Sequence, residues 1–419
     1  MAQVARGPAA WVKRGLIAAV LLAAAVIPGR ATSQQAQHCT GQSCRTPGSI
    51  LWKRNLPGTW LAEAGVAGTV ASDGSAYAAV GGGLAVIGVG TAVSAFEAET
   101  GESRWDASLS GVPVGSSIVG VRAFPGIVAV GVVPPAAQGG NRDEVILDAA
   151  TGRQIRTYPA APYGGAIAAD SQSTVILGPH AVTAYANATG RQLWSRATGP
   201  ADEAWRVSGR YVYITQTTGR DAGPAAVTAV RRIDLRTGTV KRLQPPNADF
   251  AGSLAGAVQG VLLFSAADGV TAYSASDGRE LWTRPRSVLE LTDPVSDAFY
   301  LASGKTLTGI QATTGRVISQ AGTSVSASLY WAADGTALGL DDQGALGQAW
   351  GYDLATRRVV WTSSALPWPH FFVDLSGLGG SASPDSDVVL LAICGQEGTA
   401  PAQNSAPACR RPELAAVLA

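Results

Sequence analysis

Residues 95–105 read Ala-Phe-Glu-Ala-Glu-Thr-Gly-Glu-Ser-Arg-Trp, and closely similar stretches occur at residues 184–194 and 272–282. Looser copies centre on three further segments, Asp148–Gly152, Asp234–Gly238 and Gln311–Gly315. Another runs from Tyr352 to Trp361 with Arg357 in place of glycine, and a half copy spans Pro47–Trp52. The glycine positions are about 44 residues apart on average, which is the length of a four-stranded propeller blade.

Each copy has the pattern of two strands joined by a tight turn. An acidic or Asn side chain near the start of the turn can accept backbone N–H bonds, and glycine supplies the positive φ of a bulged hairpin loop. Arg357 in that position is expected to cost about 1 kcal/mol if it adopts the left-handed region.

A tryptophan follows the glycine by four residues in five copies, as Trp52, Trp105, Trp194, Trp282 and Trp361. Arg156, Arg242 and Ser319 replace it in the other three. A large aromatic side chain at one repeated position predicts packing between neighbouring blades. A row of aromatic rings that stack on a sugar or a cofactor is the alternative.

The predicted fold is all-β, an eight-bladed β-propeller of four-stranded antiparallel blades, with seven blades as the alternative. The last blade is expected to combine the strand Ser49–Leu56 with Phe371–Leu375, Val388–Ile393 and Glu413–Ala419, so that the N- and C-terminal strands pair and close the ring. The propeller is assigned residues 48–419, after a linker at 32–47.

The first 31 residues are interpreted as a targeting segment. Arg6, Lys13 and Arg14 precede an apolar run from Leu16 to Ile27. This run fits a secretory signal and is short for a membrane span, which needs about 20 residues. A cleaved signal peptide and an uncleaved signal anchor both remain open, and either one places residues 32–419 outside the cytoplasm.

The four cysteines form two clusters, Cys39 with Cys44 and Cys394 with Cys409. Disulfides persist in exported proteins, so two structural bridges within these clusters are expected. Zinc is the alternative, but the four residues lack the paired spacings of structural zinc sites.

Composition limits the choice of partner. The formal charge is +1, and it becomes −3 when residues 1–31 with their four basic side chains are removed. Such a balance gives no reason to expect nucleic acid as a partner. The chain is expected to be a monomer that meets a membrane only through an N-terminal anchor.

These motifs resemble the pyrroloquinoline-quinone-like (PQQ-like) repeat, whose usual form is Ala-Leu-Asp-Ala-x-Thr-Gly-x-x-x-Trp. The resemblance covers residues 46–419 and implies an eight-bladed propeller with tryptophan docking between blades. It also implies one of two activities. Some members are quinone-dependent dehydrogenases, and others are non-enzymatic propellers such as an outer-membrane assembly scaffold and the sensor domains of kinases.

The dehydrogenase branch is similar to this chain in its repeats only. Its members carry an adjacent Cys-Cys pair on the quinone and an Asp-Asn-Glu set around calcium, and this chain has no adjacent cysteines. The acidic pairs Asp341-Asp342 and Asp385–Asp387 are interpreted as solvated turns, since calcium prefers several convergent oxygen ligands. No catalytic, metal or cofactor residue is therefore assigned.

The sequence thus predicts an exported, non-catalytic scaffold for a protein or cell-envelope ligand, without a cofactor. The long segments Pro134–Arg142, Gln216–Ala226 and Gln396–Pro412 are candidate contact loops, or else tolerated insertions. The alternative from another class is a PQQ- and calcium-dependent oxidoreductase with a divergent site.

Overall fold

The computed structural model contains eight four-stranded antiparallel sheets and one two-stranded sheet in the part of the chain that it describes. The described residues are 50–55, 60–61, 76–135, 142–160, 164–199, 202–218, 226–245, 249–250, 252–293, 297–303, 306–322, 327–333, 336–341, 348–353, 356, 358–362, 369–372, 388–394, 408–409 and 412–418. Every element in these ranges is a strand.

Strands are numbered in chain order, and the four-stranded sheets are numbered I to VIII. Sheet I contains β3 (Ala76–Gly81), β4 (Leu84–Val89), β5 (Ala92–Glu97) and β6 (Ser103–Ser108). Sheet II contains β7 (Ser117–Phe124), β8 (Ile127–Val133), β9 (Arg142–Asp148) and β10 (Gln154–Ala160). Sheet III contains β11 (Gly165–Ala169), β12 (Ser173–Leu177), β13 (Ala181–Ala186) and β14 (Gln192–Ala197). Sheet IV contains β15 (Asp202–Ser208), β16 (Tyr211–Thr218), β17 (Ala226–Asp234) and β18 (Val240–Leu243).

The second half of the chain repeats this arrangement. Sheet V contains β19 (Ser253–Val258), β20 (Val261–Ala266), β21 (Gly269–Ser274) and β22 (Glu280–Pro285). Sheet VI contains β23 (Val288–Asp293), β24 (Ala298–Ser303), β25 (Thr306–Gln311) and β26 (Val317–Gly322). Sheet VII contains β27 (Ala327–Ala333), β28 (Thr336–Asp341), β29 (Gln348–Asp353) and β30 (Arg358–Thr362).

Sheet VIII combines both ends of the described chain. It contains β31 (Pro369–Phe372), β32 (Val388–Cys394), β34 (Pro412–Leu418) and β1 (Ile50–Asn55). Strand β34 lies between β1 and β32 and is antiparallel to both, with Lys53 opposite Ala415 and Leu390 opposite Ala416. The two-stranded sheet pairs β2 (Trp60–Leu61) with β33 (Ala408–Cys409).

Burial follows the position of a strand within its sheet. The second strand of sheet I, β4, has four successive buried residues, whereas the outer strand β6 has one, Trp105. A strand with both faces buried reads as an unbroken apolar run. The middle strands are therefore covered on both faces, and the outer strands carry most of the exposed side chains.

The apolar cores lie between successive sheets. Val86 and Val93 of sheet I pack with Val128 and Val145 of sheet II. The same kind of cluster joins sheets II and III, III and IV, IV and V, and V and VI. Another cluster brings Val388, Leu390 and Ala416 of sheet VIII against Ile87 and Phe96 of sheet I. Each described cluster therefore packs an apolar face of one sheet against the next sheet.

The expected contact loops need correction. Gln216, Thr217 and Thr218 belong to β16 and pair with β17, so the segment between these strands is shorter than the predicted Gln216–Ala226. Arg142 begins β9 and is buried, so it is not part of a loop. Within Gln396–Pro412, residues 408–409 form β33 and Pro412 begins β34. Only the ends of the three segments are corrected, since residues 136–141, 219–225, 395–407 and 410–411 lie outside the described residues.

Removal of residues 413–419 is expected to lower the free energy of unfolding by about 3 kcal/mol or more, because it exposes the buried residues of β32 and leaves β1 without a partner. Urea unfolding measured by tryptophan fluorescence gives this value, and removal of Ala419 alone, which lies beyond the end of β34, is the control. Equal stability of the seven-residue truncation and the full chain would contradict the role assigned to β34.

Tyr213 is 1% exposed between sheets IV and V. Desolvation raises the pKa of its phenol to about 12, against an opposing effect of Arg232. The unfolded chain releases this proton near pH 10 and the folded chain does not, so stability is expected to fall by about 2 kcal/mol as the pH rises from 10 to 12. Unfolding free energies of Tyr213→Phe over this range should show a smaller decline than those of the unsubstituted chain. Parallel declines would contradict the prediction.

Candidate functional site

The repeated turn has the same hydrogen bonds in six sheets. In sheet II the N–H of Gly152 donates to the carbonyl of Asp148 at 2.8 Å, and the N–H of Asp148 donates to the carbonyl of Arg153 at 2.9 Å. The Asp148 carboxylate accepts the N–H groups of Ala150 and Thr151. The six glycines, at 101, 152, 190, 238, 278 and 315, have φ between +63° and +79°. The predicted left-handed glycine is confirmed at these six positions, and residue 357 lies outside the described residues.

The indole of Trp105 lies on the turn of the next sheet. Its Nε1 donates to the carbonyl of Ala149 at 2.7 Å, and the side chain is 8% exposed. A Cβ on Gly152 would lie 2.5 Å from the Trp105 ring. Glycine is therefore required here for two reasons, its positive φ and the ring stacked on its Cα.

Three other sequence-predicted tryptophans occupy equivalent places. Each donates from Nε1 to the carbonyl three residues before the glycine of the next sheet: Trp52 to Ala98 at 2.8 Å, Trp194 to Leu235 at 3.2 Å and Trp282 to Ala312 at 2.8 Å. Trp361 lies in β30 opposite Gly351. Indoles thus join sheet VIII to I, I to II, III to IV and V to VI.

Sequence reasoning missed an arginine two residues after three of these tryptophans. Arg54, Arg196 and Arg284 each donate to the carbonyl of the glycine on the next sheet, at positions 101, 238 and 315. The signal was present as a recurring Trp-x-Arg triplet. Its meaning was hidden because the acceptors are backbone atoms, which no side-chain pattern reveals.

The predicted cysteines fall at two places. Cys394 ends β32 opposite Pro412, and Cys409 ends β33 opposite Trp60. Cys39 and Cys44 lie outside the described residues, and both disulfides stay predictions.

Sheets II and III meet through a different set of side chains. Arg156 stands at the tryptophan position, and its Nη1 donates to the carbonyl of Gly190 at 2.9 Å. Tyr158, two residues later, packs on Tyr185 of sheet III with ring centroids 4.1 Å apart. The usual order of aromatic residue and then cation is thus reversed at this interface.

A cavity of about 480 Å³ opens beside Arg156. Its wall combines backbone, apolar and polar groups from both sheets: Gly126, Ile127, Asp148, Arg153, Ile155, Arg156, Ser171, Asn187, Ala188, Thr189 and Gly190. Arg156 takes the place that the indole has at other interfaces, because a Cβ on Gly190 would meet its side chain as a Cβ on Gly152 would meet the Trp105 ring. The cavity is the candidate functional site.

A second polar cluster lies between the same sheets. Glu144, which is 1% exposed, lies 3.8 Å from Arg122 and 3.7 Å from Arg142. Its Oε1 accepts the N–H of Ala166 at 3.1 Å, and Arg122 donates to the carbonyl of Ala166 at 2.6 Å. These bonds fix the start of β11 against β9. Buried charges of this kind need such partners, since an unpaired one is costly.

In the described ranges, no group of three or more His, Cys, Asp or Glu residues is placed to hold a metal ion. In the same ranges no helix is long and apolar enough to span a membrane.

Gly238→Ala is expected to lower the free energy of unfolding by about 2–3 kcal/mol, because the new methyl group meets the Trp194 ring and also occupies a left-handed conformation. Gly209→Ala is the matched control: its φ is +55°, and a Cβ there has no heavy atom within 4 Å. The control should lose only about 1 kcal/mol. Equal losses in chemical unfolding of the two variants would mean that the indole contact carries no energy.

One family model matches part of the repeat region. Residues 178–329 match the family model described as outer membrane protein assembly factor BamB. No curated protein sequence matches the chain significantly.

Solved structures of several different proteins are similar to this chain. BamB from Moraxella catarrhalis is 18% identical with a TM-score of 0.45, over 71% of this chain and 98% of that one. Quinohemoprotein alcohol dehydrogenase from Comamonas testosteroni is 14% identical with a TM-score of 0.47, over 88% and 76%. Hsv2 from Kluyveromyces lactis is 8% identical with a TM-score of 0.44, over 69% and 97%. Scores at this level carry no conclusion about activity. The match over residues 178–329 supports the resemblance of these repeats to the PQQ-like repeat family.

Proposed function

We propose that this protein is an exported, non-catalytic β-propeller of eight blades that binds a protein or another cell-envelope ligand. The observation that carries the proposal is the cavity between sheets II and III, which lies in a framework of sheets joined by buried indoles. A binding protein needs a concave, chemically mixed surface held on such a framework.

The eight-bladed ring is supported by contacts between successive sheets. Inner strands of neighbouring sheets touch from I to II, from IV to V, from V to VI and from VI to VII. Strand β28 of sheet VII contacts β31 of sheet VIII, and sheet VIII packs on sheet I. A closed order of this kind removes the free edges that an open array would expose.

The chemistry of the cavity favours binding over catalysis. Its carboxylate, Asp148, accepts three hydrogen bonds within its own turn. Its amide side chain, Asn187, is also engaged, with Thr174 and with the carbonyl of Asp170. Arg153 and Arg156 add exposed positive charge at the wall. These groups can orient a ligand, but they do not form a nucleophile and base pair.

Export is part of the same proposal. It depends on the basic and apolar pattern of residues 1–31, which is typical of a secretory signal. The two predicted cysteine bridges, Cys39–Cys44 and Cys394–Cys409, agree with an oxidising compartment.

The decisive test is titration of the purified chain with pyrroloquinoline quinone and calcium, with tryptophan quenching and dye reduction by simple alcohols and sugars as readouts. A non-catalytic propeller is expected to show neither calcium-dependent quinone binding nor turnover. Tight, calcium-dependent binding with turnover would contradict the proposal and assign a quinone-dependent oxidoreductase.

A further inference from the structure

We propose that two copies of this chain associate through the outer strands of sheets VI and VII, β26 and β30. The same surface takes part on both copies, as in a twofold dimer. The inference goes beyond the proposed binding function and does not depend on the cavity between sheets II and III. It replaces the monomer that was expected from the sequence.

Exposed apolar side chains are concentrated on these two strands. The described ranges contain seven large apolar side chains that are exposed, and four of them lie on β26 and β30. These four are named the rim patch: Val317, Ile318, Val359 and Val360, each between 41% and 52% exposed. The two strands belong to neighbouring sheets, since β23 of sheet VI contacts β27 of sheet VII. Single exposed apolar residues are ordinary, whereas a group of them on neighbouring elements is typical of an interface.

The free edges of the sheets differ in how they are protected. Each outer strand has a partner on one side only, and natural edges of this kind carry charges or prolines that disfavour a further strand. Six of the eight outer strands have such a residue after their first position: Lys53 in β1, Arg104 in β6, Pro159 in β10, Arg196 in β14, Lys241 in β18 and Arg284 in β22. Strands β26 (Val-Ile-Ser-Gln-Ala-Gly) and β30 (Arg-Val-Val-Trp-Thr) have none there. The two unprotected edges are therefore the two that carry the rim patch.

A second copy of the chain suits this surface better than a charged partner does. Strand β26 has no charge, and the single charge of β30 is Arg358 at its first residue. In an antiparallel twofold pair the first residues of facing strands lie at opposite ends, so this arginine does not meet its own copy. The formal charge of the whole chain is +1, which sets no large repulsion between copies. The rim patch can thus bury its apolar side chains against itself, while the free edges supply backbone hydrogen bonds.

Sedimentation velocity of the full chain over a concentration series tests the proposal. Two short strands on each copy form a small interface, so dissociation in the micromolar range is expected. The dimer should persist in about 0.5 M salt, because apolar contact and backbone bonds are screened far less than exposed ion pairs. A chain that stays monomeric at every concentration would overturn the dimer and leave the binding proposal standing.

Val317→Lys is the decisive variant, since it places a charge on the free edge of both copies. It is expected to weaken association by about tenfold or more. Leu193→Lys is the matched control: Leu193 is 44% exposed like Val317, but it lies on β14, whose edge already carries Arg196. This control should dimerise like the unsubstituted chain. Should Val317→Lys fail to fold, Val360→Lys replaces it with the same expected loss. Self-association that the folded variant leaves unchanged would arise elsewhere on the chain and would contradict the assigned surface.

Amide hydrogen exchange locates the contact independently. The amides of residues 317–322 should exchange more slowly at concentrations where the dimer forms, whereas those of β14 should not change. Equal exchange in monomer and dimer would overturn the pairing of the free edges. A monomer in which these amides are protected only by phosphatidylcholine vesicles would assign the rim patch to a lipid surface and overturn the second copy.

Discussion

The contact between a side chain of one sheet and the left-handed glycine of the next is the interaction on which the architecture depends. At Gly152 and Gly238 the indole ring lies so close to Cα that a β-carbon would meet it, and the same Cα has a φ that disfavours other residues. One residue type therefore satisfies a local requirement of the turn and a long-range requirement of packing. A change at this position disturbs the hairpin and the interface together.

Backbone carbonyls, not side chains, receive most of these contacts. The acceptors at Ala98, Ala149 and Leu235 are fixed by the turn itself, so the donor that reaches them can vary. At the interface of sheets IV and V the donor is Arg232, and at that of sheets II and III an arginine bonds the neighbouring carbonyl of Gly190. The repeat can thus lose its tryptophan at an interface and keep its framework.

The repeat was readable from sequence because its glycine and tryptophan recur at fixed spacing. The cavity was not readable. Its wall joins residues of two successive sheets, and a single sequence does not show how their turns meet. The buried Arg122–Glu144–Arg142 cluster was also missed, because charged residues in a strand ordinarily indicate a solvated face.

Strand β34 pairs with β1 on one side and with β32 on the other, so Ile50 is opposite Val417. Sheet VIII therefore requires the last residues of the chain to be present before its first strand can be placed. Pairing across such a sequence separation is slow, because the entropy of closing the loop is lost before the contacts form. A chain that leaves the ribosome in order has to hold β1 unpaired until β34 has been synthesised, so sheet VIII can be completed only after the strands of sheets I to VII have emerged.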